Sequence, residues 1–162
     1  QIESLELDAG VTYLDNEPLG RVAQLPLYHE TYRLMVPAGS PLASRAEVSW
    51  AEAARQPLCL LTPDMQNRRI VNAHLAQAGA VVSPRIESNS TLVLLAHVAS
   101  GRWASIVPTA LAEMFSEGSG IASVPLSGRS ARHLVGLIAT PREPHTPMLA
   151  TLFDEARKLA EV

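Results

Sequence analysis

Side chains able to hold a small molecule gather in two short stretches of the chain. Thr62, Pro63, Asp64, Met65, Gln66, Asn67 and Arg68 follow the apolar run Leu58 to Leu61 and supply hydroxyl, amide and guanidinium donors where a helix should begin. Asn89, Ser90 and Thr91 stand at the start of the next helical pattern. A helix start leaves N–H groups unpaired and carries the positive end of the helix dipole, so both stretches suit a carboxylate or another anion. A plainer role stays open for each: Thr62, Asp64 or Ser90 caps its helix and nothing more, and Arg68 is a solvated cation. Arg33 and Arg102 could likewise meet an anion or simply face water, and Arg69 reads as surface.

Catalytic arrangements are harder to find. The five histidines, His29, His74, His97, His133 and His145, show no paired i, i+4 or His-x-His spacing of the kind a metal site favours. His74 and His97 fall near helix interiors and read as packing residues. There is no Gly-x-Ser-x-Gly elbow, phosphate loop or dinucleotide fingerprint, and Gly118, Ser119 and Gly120 give only a weak loop signal. The single cysteine, Cys59, lies inside an apolar run and reads as a small buried hydrophobe rather than a nucleophile. No catalytic residue, cofactor or metal is expected.

The elements that must carry the polar stretches follow from pattern. A length of 162 residues with 47% hydrophobic content is enough for one domain or two small lobes with a real core. Short apolar runs alternate with helical patterns, which argues for an α/β fold with a largely parallel sheet. Ile2, Leu5 and Leu7 suggest the last turn of a helix. Strands are expected over Ala9 to Leu14, Thr31 to Val36, Leu58 to Leu61, Val81 to Glu87, Ala104 to Val107 and His133 to Thr140, with Leu19 to Leu27 and Ile121 to Leu126 extended. Ser49 and Glu52 form a capping box for a short helix stopped by Pro57. Met65 to Ala78 places Ile70, Val71, His74, Leu75 and Ala78 at helical spacing, and Gly79 ends it. Ser90 caps Thr91 to Ser100, with Leu92, Leu95, Ala96 and Ala99 facing inward. Pro108 sits as the first residue of a helix through Phe115, broken by Gly118 and Gly120. Thr146 and Pro147 open a last helix with Leu149, Leu152, Phe153, Ala156, Leu159 and Ala160 on one stripe.

Thirteen Lys and Arg against sixteen Asp and Glu leave a net charge of −3 and no basic block, so this chain alone should not grip DNA. No stretch approaches a membrane span and no secretory leader opens the chain. One cysteine fits a reducing compartment.

Three segments together resemble the effector-binding domain of the LysR family of bacterial transcriptional regulators. They are LDAGVTYL (Leu7 to Leu14), PLYHETYRLMVPAGSPLA (Pro26 to Ala43) and ESNSTLVLLAHVASGRWASIVP (Glu87 to Pro108). Their order and spacing cover nearly the whole chain. Two departures stand out: Gly101 is followed by Arg102 and Trp103 where the family usually has Gly-x-Gly, and the turn before Pro41 carries Gly39 and Ser40 where it often has His.

The resemblance implies a two-lobed, periplasmic-binding-protein-like fold of Rossmann type. Lobe I, from 1–30 and 127–162, would be partial; lobe II, 31–126, would be complete, with hinges near 30–32 and 124–126. It implies a small-molecule effector held between lobes, with Thr12 and Tyr13 contributing from lobe I alongside Thr62, Pro63, Asp64, Gln66, Asn67, Arg68, Asn89, Ser90 and Thr91. Tyr13 can equally be packing with its hydroxyl at the rim. It further implies a cytoplasmic regulator acting as a homodimer or homotetramer. DNA would be bound only through a winged helix-turn-helix ahead of Gln1, and no membrane is involved. The rival expectation is the solute-binding component of a transporter.

Overall fold

The computed structural model describes residues 2, 6–115, 118–128, 132–142 and 144–160. In chain order the elements are β1 (Ala9–Tyr13), β2 (Ala23–Glu30), β3 (Tyr32–Pro37), α1 (Trp50–Ala53), β4 (Cys59–Leu61), α2 (Gln66–Gln77) and β5 (Ile86–Ser88). After them come α3 (Thr91–Ala99), β6 (Ser105–Pro108), α4 (Thr109–Met114), β7 (Ile121–Pro125), β8 (His133–Ala139) and α5 (Pro147–Leu159). The chain divides into two compact units, Gln1–Glu30 with Arg132–Val162, and Thr31–Ala131.

The first unit is a three-stranded antiparallel sheet, β1-β8-β2, with α5 against it. Thr146 accepts a hydrogen bond from the Leu149 N–H at 3.4 Å, and Pro147 fills the first helical position, where its missing donor costs nothing. Leu149 and Phe153 bury against Leu137 and Ala139, with Leu25, Leu27 and Ala156 around them. Leu152 and Leu159 are exposed, so the buried stripe is narrower than the sequence pattern implies. Gly136, in the middle of β8, pairs with Thr12 on one side and Pro26 on the other. A Cβ there would come within 2.5 Å of Leu14 Cδ1 and 2.6 Å of the Leu25 carbonyl oxygen, so glycine is what lets these strands close up. The Leu19 to Leu27 stretch, expected only as extended, contains most of a true strand; its alternation is broken because the register shifts between Pro26 and Tyr28.

The second unit combines the antiparallel sheet β6-β3-β7 with the parallel pair β4-β5. A parallel bridge, Leu58 to Ala104, ties the start of β4 to the start of β6. The expected largely parallel sheet is therefore corrected: among the described strands most pairing is antiparallel. Apolar runs mark buried strands but carry no direction, and β3 lies between two strands that both run against it. Its core joins Met35, Cys59, Leu61, Leu94, Leu95, Val98 and Val107.

Local signals explain much of this unit. Ser49 accepts from the Glu52 N–H at 3.2 Å while Glu52 accepts from the Ser49 N–H at 2.9 Å, a complete capping box on α1. In α2, Ile70, Val71, His74 and Leu75 are buried as their spacing predicts, and Gly79 ends the run at φ +75°.

Three expectations shift. The inward face of α3 is Leu94, Leu95 and Val98; Leu94 is 0% exposed while Leu92 is 62% exposed, and Ala96 and Ala99 also face out. Of Val81 to Glu87 only the last two residues fall in β5, because the β4 ladder begins at Ile86, with a single bond before it from the Arg85 N–H to the Leu58 carbonyl. Pro108 is the cap of α4 rather than its first residue, since it still pairs with Tyr32 as the end of β6. The helical turn expected over Ile2, Leu5 and Leu7 rests in part on Leu5, which lies outside the described residues, and Leu7 itself is exposed.

Candidate ligand-binding site

The parallel register brings the two polar stretches together. Leu61, the last residue of β4, pairs with Ser88, the last of β5, and the Thr62 N–H donates to the Ser88 carbonyl at 3.2 Å. Thr62 and Asn89 therefore leave adjacent strands on the same edge, and α2 and α3 both start there. Counted from the bridge at Leu58 and Ala104, β6 ends level with them, which adds Thr109 at the start of α4. Helix starts converging on one strand edge present N–H groups and hydroxyls to whatever docks there.

Each side chain at this edge has a definite place. The Thr62 hydroxyl oxygen is buried and has no hydrogen-bond partner among the described residues. Buried hydroxyls are almost always paired, so an orphan needs a water or a ligand to complete it. Pro63 and Asp64 are exposed at the tip, where the Asp64 carbonyl accepts from Arg69 at 2.6 Å and Met65 N–H closes the turn on the Thr62 carbonyl at 3.0 Å. Gln66 opens α2, half-buried. Asn67 accepts a hydrogen bond from the Tyr32 hydroxyl. Asn89 is exposed, while Ser90 starts α3 without a side-chain cap and donates its N–H to the Ser88 hydroxyl at 3.1 Å. Thr91 follows, half-buried.

Arg68 differs from the rest. It is 6% exposed, and its guanidinium is spent on the protein itself: on the Leu61 carbonyl, on Glu87 at 2.6 Å and on Asn72 at 2.9 Å. It ties α2 to β4 and β5. Arg33, another cation proposed for an anion, donates to the Ser123 hydroxyl at 2.6 Å between β3 and β7.

Sequence reasoning missed Thr31 and Thr109, whose hydroxyls meet at 2.7 Å, with the Thr109 N–H donating to the Thr31 carbonyl at 2.8 Å. The available signal was position: Thr109 follows a strand and opens a helix, as Thr62 and Ser90 nearly do. Tyr32 was also missed; it holds Asn67 and lies 6.4 Å from Trp50, which in turn stacks on His74 at 4.7 Å. These contacts tie α2 to β3 at Asn67 and to α1 at His74. Behind the edge, the gap lined by Leu61, Asn67, Arg68 and Ile106 is about 10 Å³, room for a single water.

Thr12 and Tyr13 belong to the first unit. Thr12 lines a cavity of about 380 Å³ whose other walls include Leu7, Leu19 and Ile138. Tyr13 is buried, with its ring edge-on to His133 at 6.0 Å.

Cys59 is buried with its Sγ near the Ala104 and Leu94 carbonyls at 3.4 and 3.6 Å, and burial pushes its thiol above the ordinary value. Such a thiol is a poor nucleophile. Among the described residues no three His, Cys, Asp or Glu gather to hold a metal ion, and no helix is long and apolar enough to cross a membrane.

The family model for the LysR substrate binding domain matches residues 1–161. Comparison with the curated proteins found no match. Among solved structures, the reduced OxyR regulatory domain from Pseudomonas aeruginosa superposes with a TM-score of 0.79 at 22% identity, over 97% of this chain and 75% of that one. The effector binding domain of QuiR in complex with shikimate gives 0.80 at 15% identity, over 99% and 75%. The regulatory domain of Synechocystis PCC6803 CcmR in complex with 2-PG gives 0.82 at 13% identity, over 99% and 76%. The likeness establishes a mixed α/β fold of the type 2 periplasmic-binding kind. The chain spans about half of the full-length regulators it matches, 51% to 55%.

Proposed function

Since the chain belongs to the LysR substrate-binding domain family, we propose that it is the effector-sensing part of a transcriptional regulator and binds a small molecule at the edge where β4, β5 and β6 end. The buried Thr62 hydroxyl without a partner, beside two helix starts, is the observation that carries this reading. Thr62 would donate to the effector, while Asn89, Thr91 and Gln66 supply adaptable amide and hydroxyl contacts. The chemistry suits a small hydroxylated or carboxylated molecule, and the relatives solved with shikimate and 2-PG agree with that size. Arg68 supports the edge from behind rather than meeting the ligand.

The reading extends to parts the chain does not itself provide. DNA would be held by a winged helix-turn-helix elsewhere in the regulator, working as a cytoplasmic homodimer or homotetramer without catalysis. The two units stand for the family's two lobes, with hinges near 30–32 and 124–126. Effector binding shifts the regulator's equilibrium only as far as its affinities for two arrangements differ. Disulfide sensing between two cysteines of this segment is excluded, because it contains one. The family match does not favour a transporter component.

The test is a thermal-shift screen of small organic acids, shikimate included, since a ligand that binds only the folded state raises the melting temperature. A hit should then bind about fivefold to tenfold more weakly to Thr62→Val and to Asn89→Ala, the worth of one hydrogen bond, with melting unchanged or raised. Equal affinity in both variants removes this edge as the site.

A further inference from the structure

The opposite ends of the same strands carry a different surface. Three segments lead into β4, β5 and β6 there: Arg55 to Pro57, Pro84 with Arg85, and Arg102 with Trp103. Backbone bonds hold them in register, from Ala104 N–H to the Pro57 carbonyl at 3.1 Å, Cys59 N–H to Ala104 at 2.9 Å and Arg85 N–H to Leu58 at 3.2 Å. Two cavities of about 570 and 540 Å³ open at this end, and both are lined by Gln56, Pro57 and Trp103. Either has the volume of a small-molecule site.

Their charge is one-sided. Arg102 lines the first cavity, Arg55 and Arg85 line the second, and among the described residues no carboxylate lines either. None of these three guanidiniums has a side-chain partner among the described residues. Arg102 has a structural explanation, since it stands two residues beyond the cap of α3 and offsets the negative end of that nine-residue helix. Arg55 follows a helix of only four residues, whose dipole is slight, and the cap of that helix, Ala54, lines the same cavity as Arg85. Trp103 is half-buried and packs against the core cluster, which fixes its ring, and its indole has neither a ring partner nor a hydrogen bond among the described residues.

We propose that the second cavity is a separate ligand site for a planar aromatic carboxylate, its ring against the Trp103 indole and its carboxylate met by Arg55 and Arg85. A fixed aromatic face with two unpaired cations is the chemistry that recognises such an anion, by stacking and by charge-assisted hydrogen bonds.

Benzoate is the probe, titrated into the ¹⁵N-labelled chain while the indole N–H signals of its two tryptophans are followed. Trp103→Phe identifies the signals. The expected result is a saturable shift of the Trp103 signal, with Trp50 unmoved. Binding should weaken about tenfold in the Arg55→Ala/Arg85→Ala double variant, and as much for the neutral analogue benzyl alcohol. Thr62→Val should leave the shift unchanged, so the two ends of the strands are tested separately. A still Trp103 signal at saturating benzoate, equal affinity in the arginine variant, or equal binding of benzyl alcohol overturns the proposal.

Discussion

Where β4 and β5 finish, Arg68 is buried and its guanidinium is divided among Leu61, Glu87 and Asn72; where they begin, Arg55 and Arg85 are exposed and paired with nothing described. The two ends belong to the same strands, yet their cations do opposite work. A buried charge must be matched by hydrogen bonds and a counter-ion, so it becomes part of the scaffold. An exposed one is under no such demand and stays available. The cation that the sequence places within a polar cluster is thus the one least free to bind, and the free ones stand in segments with no motif at all.

The largest expected effect separates these two kinds of arginine. Arg68→Met should lower unfolding free energy by about 3 kcal/mol, because it strands the Leu61 carbonyl and removes a charged hydrogen-bond hub, though the half-exposed Glu87 keeps part of its hydration. Arg85→Ala should cost less than about 0.5 kcal/mol. Urea titration of both variants measures the gap, and similar losses would erase the distinction.

A smaller effect of opposite sign is expected at Thr62. Replacing its orphaned hydroxyl with a methyl in Thr62→Val should raise stability by about 1 kcal/mol in the absence of ligand. A loss of stability would mean that the hydroxyl already has a partner.

The capping box ahead of Arg55 gives a third measurement, of similar or smaller size. Ser49→Ala should cost about 1 kcal/mol. The Ser49 N–H, and then its hydroxyl, hold the Glu52 carboxyl below its ordinary value. A lowered folded value contributes stability above the unfolded-state value and loses it as pH falls through the lowered one. The part of the difference between wild type and Ser49→Ala that acts through Glu52 should therefore shrink in acid, and a difference constant down to strongly acid pH would show that the Ser49 hydroxyl contributes nothing through Glu52.

What could be read in advance depended on whether the signal was local. Ser49 with Glu52, Thr146 with Pro147, and Gly79 after a periodic run specify helix ends through bonds that involve only their neighbours, and the structure has all three. The face of α3 was not legible, because Thr91 to Ala99 is apolar almost all round and only its neighbours decide that Leu94 rather than Leu92 turns inward. Strand direction was not legible either. For the candidate site, Thr62 and Asn89 were found because they follow apolar runs, whereas their meeting depends on the β4-β5 register. Thr109 was passed over because it stands outside any polar cluster and Thr31 because it opens a strand pattern, and a separation of 78 positions hides their contact.

Gly136 bears on how much this sequence is free to vary. With a neighbouring backbone oxygen on one side and Leu14 on the other, the space for any side chain is already occupied. Every replacement here adds a Cβ for which the flanking Leu25 carbonyl and Leu14 leave no room unless something shifts. A lineage could change the residue only by first rebuilding the strands that flank it. The position therefore acts as a ratchet: once three strands have closed over a missing side chain, the route back is shut.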